Sequence, residues 1–298
     1  MKSSDHHVVC QSFTCAACTD AVVHAGGTPV IADVELDTFS LDFKSVQSLI
    51  QKDDKIVGVL LASIYGCPSR DLHVIRSLCT KKGIWLLEDN CESYGAISKD
   101  KPLGCFGDMS VISLRSEKMI GAGEGGAILS KCPQLVAKAK WWCSRAPREG
   151  GLWLKYCNTA VGQNFLMPEL TAAVALAGAK SFVDQVDKKR RIHQWYCKHL
   201  CCRIDFQIPS NFDTSVHWLN AIILPCAAEP IGTALALKCP EIEIRPGFYP
   251  LSRQYGNSVC VNSEYLYKHV ICLPSSTKLL EEDIVYICEQ LKIYVNIL

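Results

Sequence analysis

Apolar positions along this chain fall into short runs separated by longer stretches in which they recur every three or four residues. Ile56 to Ala62 is apolar throughout, which marks a strand buried on both faces of a parallel sheet. Val8-Val9-Cys10, Thr28-Pro-Val-Ile-Ala-Asp33 and Ile84-Trp-Leu-Leu87 read as further strands, the last ending at Glu88-Asp89. Between them lie helical patterns over 14–24, closed by Gly26-Gly27, over 43–51, and over 69–82, closed by Gly83. The β-α-β alternation predicts an α/β fold, a mostly parallel sheet covered by helices on both faces.

Further on, Met109 to Leu114 and Gly126 to Leu129 read as two strands flanking a loop. A long helical region follows from Pro168 through Ala179 and past Asp184 to Leu200. The pattern then changes. Val216 to Leu224, Glu241 to Ile244 and a last helix from Leu280 to Val295 predict a smaller α+β unit. The expected division is a large domain over 1–180 and a small C-terminal domain over 181–298.

Composition adds limits. At 298 residues, with 49% hydrophobic and 20% charged residues, the chain has the balance of an ordinary soluble protein. A net charge of +1 supplies no field for nucleic acid or an anionic membrane. The basic run Lys188-Lys189-Arg190-Arg191 lies in a helical pattern after Asp184 and Asp187 and is expected to be a solvated face. Eighteen cysteines are unusual, yet the N-terminus carries no apolar signal core. They are therefore read as reduced thiols of a cytoplasmic protein, many of them small core residues. Cys15-Ala-Ala-Cys18 has redox or zinc spacing, but no second pair completes a site, so no metal is expected. No stretch is long and uncharged enough to span a bilayer.

Candidate chemistry centres on Lys118, five residues after Ser113 and followed by Gly121-Ala-Gly-Glu-Gly-Gly126. An amine, a hydroxyl and a backbone free to pass close to a ring are what a pyridoxal 5′-phosphate (PLP) site needs. Gly121 to Gly126 also matches the dinucleotide pattern G-x-G-x-x-G, but a strand follows it where that fingerprint needs a helix. Asp89, at the carboxyl end of a buried strand, is placed to meet a ligand. Its bland alternative is a cap or surface acid. Ser113 could be a backbone-bonded core serine, the commoner situation, and Asn164 the cap of the helix near Pro168.

Taken together, the segments resemble a known family. Ser12-Phe-Thr14 with Gly27 to Asp33, Tyr65-Gly-Cys-Pro68, Glu88 to Ala96, Gly107 through Lys118 to Gly126, and Gly162 to Leu170 occur in order. Arg245-Pro-Gly-Phe-Tyr-Pro-Leu251 and Cys272-Leu-Pro-Ser275 add support. The whole chain is similar to the DegT/DnrJ/EryC1/StrS sugar aminotransferases, fold-type I PLP enzymes, and in texture to their GDP-perosamine synthase-like members.

The resemblance implies roles. Lys118 would form the Schiff base with the cofactor and then shuttle the proton. Asp89 would bind the pyridine nitrogen, and Glu92 would lie beside the ring, where the family more often has Gln or His. Ser113 would bind the cofactor phosphate. Asn164 would reach the phosphate of the neighbouring subunit's cofactor, implying a homodimer with shared active sites, although Leu166 and Met167 stand where a basic residue is usual. Tyr249 is expected to approach the sugar. The implied reaction moves an amino group from glutamate to a nucleotide-linked keto-sugar. Lys118 argues against the sugar dehydratases of this kind, which carry histidine there.

Family members normally carry several dozen residues before the strand at Ser12-Phe-Thr14, including a Ser-Gly-Thr turn that grips the phosphate. This sequence starts almost at that strand, which implies an N-terminally truncated member. The alternative expectation is thus a catalytically impaired homologue that binds PLP or sugar, or serves as a partner protein.

Overall fold

The computed structural model describes residues 5–154, 156–200, 204–256 and 259–295. Its first half alternates as the pattern requires. Strand β1 (His7–Gln11), helix α1 (Ala17–His24), β2 (Thr28–Ala32), α2 (Phe43–Lys52), β3 (Ile56–Ala62), α3 (Leu72–Lys82) and β4 (Trp85–Asp89) follow in turn. A short hairpin, β5 (Ile97–Ser98) with β6 (Lys101–Pro102), precedes β7 (Met109–Ser113) and β8 (Gly126–Leu129). The main sheet has the order β2-β1-β3-β4-β7-β8, parallel except for the antiparallel pair β7–β8.

Helices α4 (Pro133–Cys143), α5 (Glu169–Lys180) and α6 (Phe182–Leu200) come next. After them lie β9 (Asp205–Phe206), β10 (Asp213–Thr214), β11 (Asn220–Ile223), α7 (Ala228–Lys238), β12 (Arg245–Pro246), α8 (Ser252–Tyr255), α9 (Val261–His269), β13 (Val270–Leu273) and α10 (Glu281–Val295). A second, antiparallel sheet of order β12-β13-β11-β9 is formed from this half, and β10 pairs back onto β5.

Burial explains the arrangement. Strand β3 is buried along nearly its whole length, as its unbroken apolar run requires. Leu41, Val46, Ile75 and Leu86 pack on one face of the main sheet. On the other, Phe13, Phe39 and Tyr65 meet edge to edge, and Phe248 stacks on Tyr65 with centroids 5.2 Å apart. Ala221, Val270 and Cys272 of the second sheet belong to that same cluster, so the two sheets share a core. A further core, including Ile192, Leu235 and Leu291, ties α6, α7 and α10 to the second sheet. None of the sixteen described cysteines is in a disulfide, and eight of them are buried; Cys201 and Cys202 lie outside the described residues. No helix among the described residues is long and apolar enough to cross a membrane.

Several expectations need correcting. The third helix begins at Leu72 rather than Ser69, and Asp71, which precedes it, does not cap it but accepts from the Phe43 amide at 2.9 Å. The long helical region breaks at Ser181, whose hydroxyl donates to the Gly178 carbonyl at 3.1 Å. The strand expected over 216–224 shrinks to β11, since His217 is left-handed at φ 47° and the Val216 amide donates to Gly66. Pairing with β13 begins at Arg245, just past the expected Glu241 to Ile244. The basic run is not all solvated: Lys189 is only 9% exposed, on the face of α6 that meets the second sheet.

Candidate active site

The site grows from the end of β4. Successive side chains of a strand point to opposite faces, so Glu88 and Asp89 diverge. Glu88 turns into the 104–107 loop, where its carboxylate accepts from the amides of Gly104 (2.8 Å), Phe106 (2.8 Å) and Gly107 (2.5 Å). This buried acid is anchored by backbone and fixes the strand end. Asp89 turns instead into a cavity at the carboxyl ends of the parallel strands, where an open α/β sheet gathers its ligands. One oxygen accepts from the Cys91 amide at 3.0 Å, the other from the Cys18 thiol at 3.1 Å.

The Lys118 loop spans β7 and β8. Leu114 and Ser116 donate backbone bonds to Gly125 and Gly123, and Ala122 donates back to Leu114. Gly123 (φ 86°) and Gly125 (φ 127°) hold left-handed conformations that only glycine adopts without strain. The folded loop aims Lys118 inward. Its amine lies 3.5 Å from Glu92 Oε1 and 3.6 Å over the centre of the Trp218 ring. Trp218 is held by its indole N–H, which donates to the Glu117 carbonyl at 2.7 Å.

The other oxygen of Glu92 accepts from the Tyr65 amide at 2.9 Å. Tyr65 (φ 54°) and Gly66 (φ 101°) make a left-handed turn immediately after β3, and a side chain on Gly66 would meet the Trp218 amide at 2.7 Å. Burial pushes the Glu92 carboxyl up, against the opposing pull of the Lys118 ammonium and the Tyr65 amide. Burial also raises the Cys18 and Cys91 thiols, helped by the neighbouring Asp89 charge, so both stay protonated as donors.

The cavity, about 300 Å³, brings together Lys118, Asp89, Glu92 and Ser113. The Ser113 hydroxyl accepts from the Arg115 amide at 3.3 Å, which leaves its own proton available. Asn164 and Tyr249 do not line it. Asn164 is exposed, and its backbone bridges Ser144; it caps no helix, since Pro168 precedes α5. Tyr249 is 52% exposed and lies against Tyr267 and Arg253. Trp218 and the Tyr65 amide were not foreseen as members of the site. A tryptophan next to histidine in an apolar run gives no local sign of facing an amine 100 residues earlier.

A model of the DegT/DnrJ/EryC1/StrS aminotransferase family matches residues 2–292. The chain belongs to that family. It is 30% identical over 300 residues to GDP-perosamine synthase of Vibrio cholerae, covering 97% of this chain and 80% of that protein. Against GDP-perosamine synthase of Escherichia coli O157:H7 the identity is 27% over 299 residues, covering 97% and 79%. The aminotransferase TlmJ from Streptoalloteichus hindustanus superposes with a TM-score of 0.90 at 20% identity, over 98% of this chain and 80% of that one. The fold is accordingly the α/β fold of PLP-dependent aminotransferases, and the cofactor of the family is PLP. The donor set fits it: an amine, a carboxylate at a strand end and a free hydroxyl converge on one cavity with room for a single ring.

Proposed function

We propose that this protein transfers an amino group from glutamate to a nucleotide-linked keto-sugar. The convergence of Lys118, Asp89 and Ser113 on one cavity carries this reading. The names of the relatives, GDP-perosamine synthases, support the acceptor class. PLP, when bound, supplies the electron sink that accepts the amino group and then gives it up. Asp89 holds a proton on the pyridine nitrogen, and the two donors on its own oxygens keep it oriented. Ser113 takes the phosphate. Lys118 Nζ would hold the cofactor and, once the substrate amine displaces it, the freed amine would carry the proton between the substrate and cofactor carbons. Glu92, on one side of Lys118, takes up or returns the ammonium proton, a role its raised affinity for protons suits.

The remaining roles need a second copy of the chain. Leu152, Trp153, Tyr156, Val161, Phe165 and Leu170 form a run of strongly exposed apolar side chains around Asn164. Such a surface is expected to be covered, and covering it with another subunit brings Asn164 to the partner's cofactor phosphate. In this reading residues 1–180 form the cofactor-binding domain and 181–298 the smaller one, with Tyr249 toward the sugar. The Glu92–Lys118 ion pair favours one competing reading, a homologue that binds but does not turn over, because the pair engages the amine. One 2-oxoglutarate per site from glutamate alone, continued turnover only with a nucleotide-linked keto-sugar, and neither in Lys118→Ala, are expected. Absence of any product from PLP-loaded wild type would leave the competing reading standing.

A further inference from the structure

Beside the Lys118 amine lies a second, larger chamber of about 530 Å³, between the glycine-rich loop, α6 and the 272–277 segment. Lys118, Trp218 and Arg245 line both chambers, so the two adjoin. The unusual element is Lys189. A buried ammonium is normally met by a carboxylate, because bringing a bare charge out of water is costly. This one is met by two backbone carbonyls instead, Trp218 O at 2.7 Å and Ser275 O at 2.5 Å. An ammonium has three N–H groups, so one is left over.

The surroundings do not neutralise it. Of the acids lining the chamber, Glu243 is engaged by Arg245 at 3.1 Å and Glu117 by Arg115 at 3.5 Å. Lys118, the remaining charged group there, is paired with Glu92. Burial and the nearby Arg245 charge lower the Lys189 ammonium to about 8. The chamber therefore holds a desolvated cation with a spare donor, a guanidinium beside it, and the hydroxyls of Ser181, Ser276 and Thr277.

We propose that this chamber is an anion subsite in which Lys189 and Arg245 take the diphosphate of the nucleotide-linked substrate, an assignment that rests on the acceptor class proposed above. A diphosphate fits better than the carboxylate of an amino acid. Arg245 already presents Nε and Nη2 to Glu243, so its two-pronged edge is not free for a carboxylate, whereas a lysine and hydroxyls suit a group with many oxygens. The larger volume leaves room for more than the donor amino acid.

Calorimetric titration of the full chain, without PLP, using GDP, UDP and 2-oxoglutarate as probes, tests this. A nucleoside diphosphate binds wild type, and Arg245→Gln and Lys189→Met each weaken it roughly tenfold, the loss expected for one charge-assisted bond. Lys188→Met removes the same charge one residue away, from an exposed side chain paired with Asp184, and leaves the affinity unchanged. Wild-type affinity also falls between pH 7 and pH 9 as Lys189 loses its proton, and Lys189→Met flattens that profile, which a purely structural lysine would not do. Arg245 is exposed, so its variant remains informative should Lys189→Met fail to fold. Diphosphate binding that is absent, or that both variants keep, overturns the proposal, as does loss of 2-oxoglutarate binding alone. Because the titration needs no cofactor, its failure is distinguishable from failure of the transaminase reading, which shows in the PLP spectrum.

Discussion

The centre of the main sheet and the segment from α4 to α5 are built on opposite terms. Strands β1 and β3 are buried by their own chain, with Phe13, Leu61 and Leu86 nearly sealed from solvent. Helices α4 and α5 together bury no residue fully, and Trp153 between them is 96% exposed. One region is complete in a single chain; the other has the apolar surface of a core with no other half. The residues proposed to hold the cofactor, Lys118, Asp89 and Ser113, stand in the first region, whereas Asn164 stands in the second. The proposed site thus combines residues that a single subunit holds in place with a residue that acts only across to its neighbour.

Breaking the first region has the largest expected effect. Phe13→Ala empties the centre of an aromatic cluster and should cost about 3–5 kcal/mol in urea unfolding. Gly66→Ala strains a left-handed turn and drives a methyl group against the Trp218 amide. A loss of about 2–3 kcal/mol is expected, together with a displaced Trp218 that near-ultraviolet dichroism should detect. Alkali probes the same core through its thiols. Burial raises Cys10 and Cys272 to about 12, above their unfolded values. Their contribution is therefore full below about pH 8.5 and is lost as pH rises toward 12. In reducing buffer, thermal stability should fall from pH 8 to pH 10 by about 2 kcal/mol for each such thiol.

The second region should respond in a different observable. Trp153→Asp and Phe165→Asp should change the unfolding of an isolated chain by less than about 0.5 kcal/mol, as surface substitutions do, yet convert a dimer to a monomer in light scattering. An unchanged oligomeric state would break the contrast between the two regions.

What the sequence made legible follows the same divide between local and distant causes. The apolar run of β3 needs no partner to be read, and its limits agree with the expected ones. The Lys118 loop was visible because its glycines and serine are neighbours in the chain. Trp218 was not, since its place over Lys118 depends on the Tyr65-Gly66 turn and on Glu117, which lie far from it in sequence. Lys189 misled for the same reason. Its local pattern, basic residues after two acids, is that of a solvated face, and only the packing of α6 on the second sheet buries it. The break at Ser181 left no apolar discontinuity to notice.

The most direct test of the central claim is the visible absorption spectrum of the purified protein titrated with PLP and then with glutamate, alongside Lys118→Ala. A cofactor band that forms on wild type, that glutamate bleaches, and that the variant cannot form is the predicted result. A band of equal strength on Lys118→Ala, or none on wild type, would contradict it.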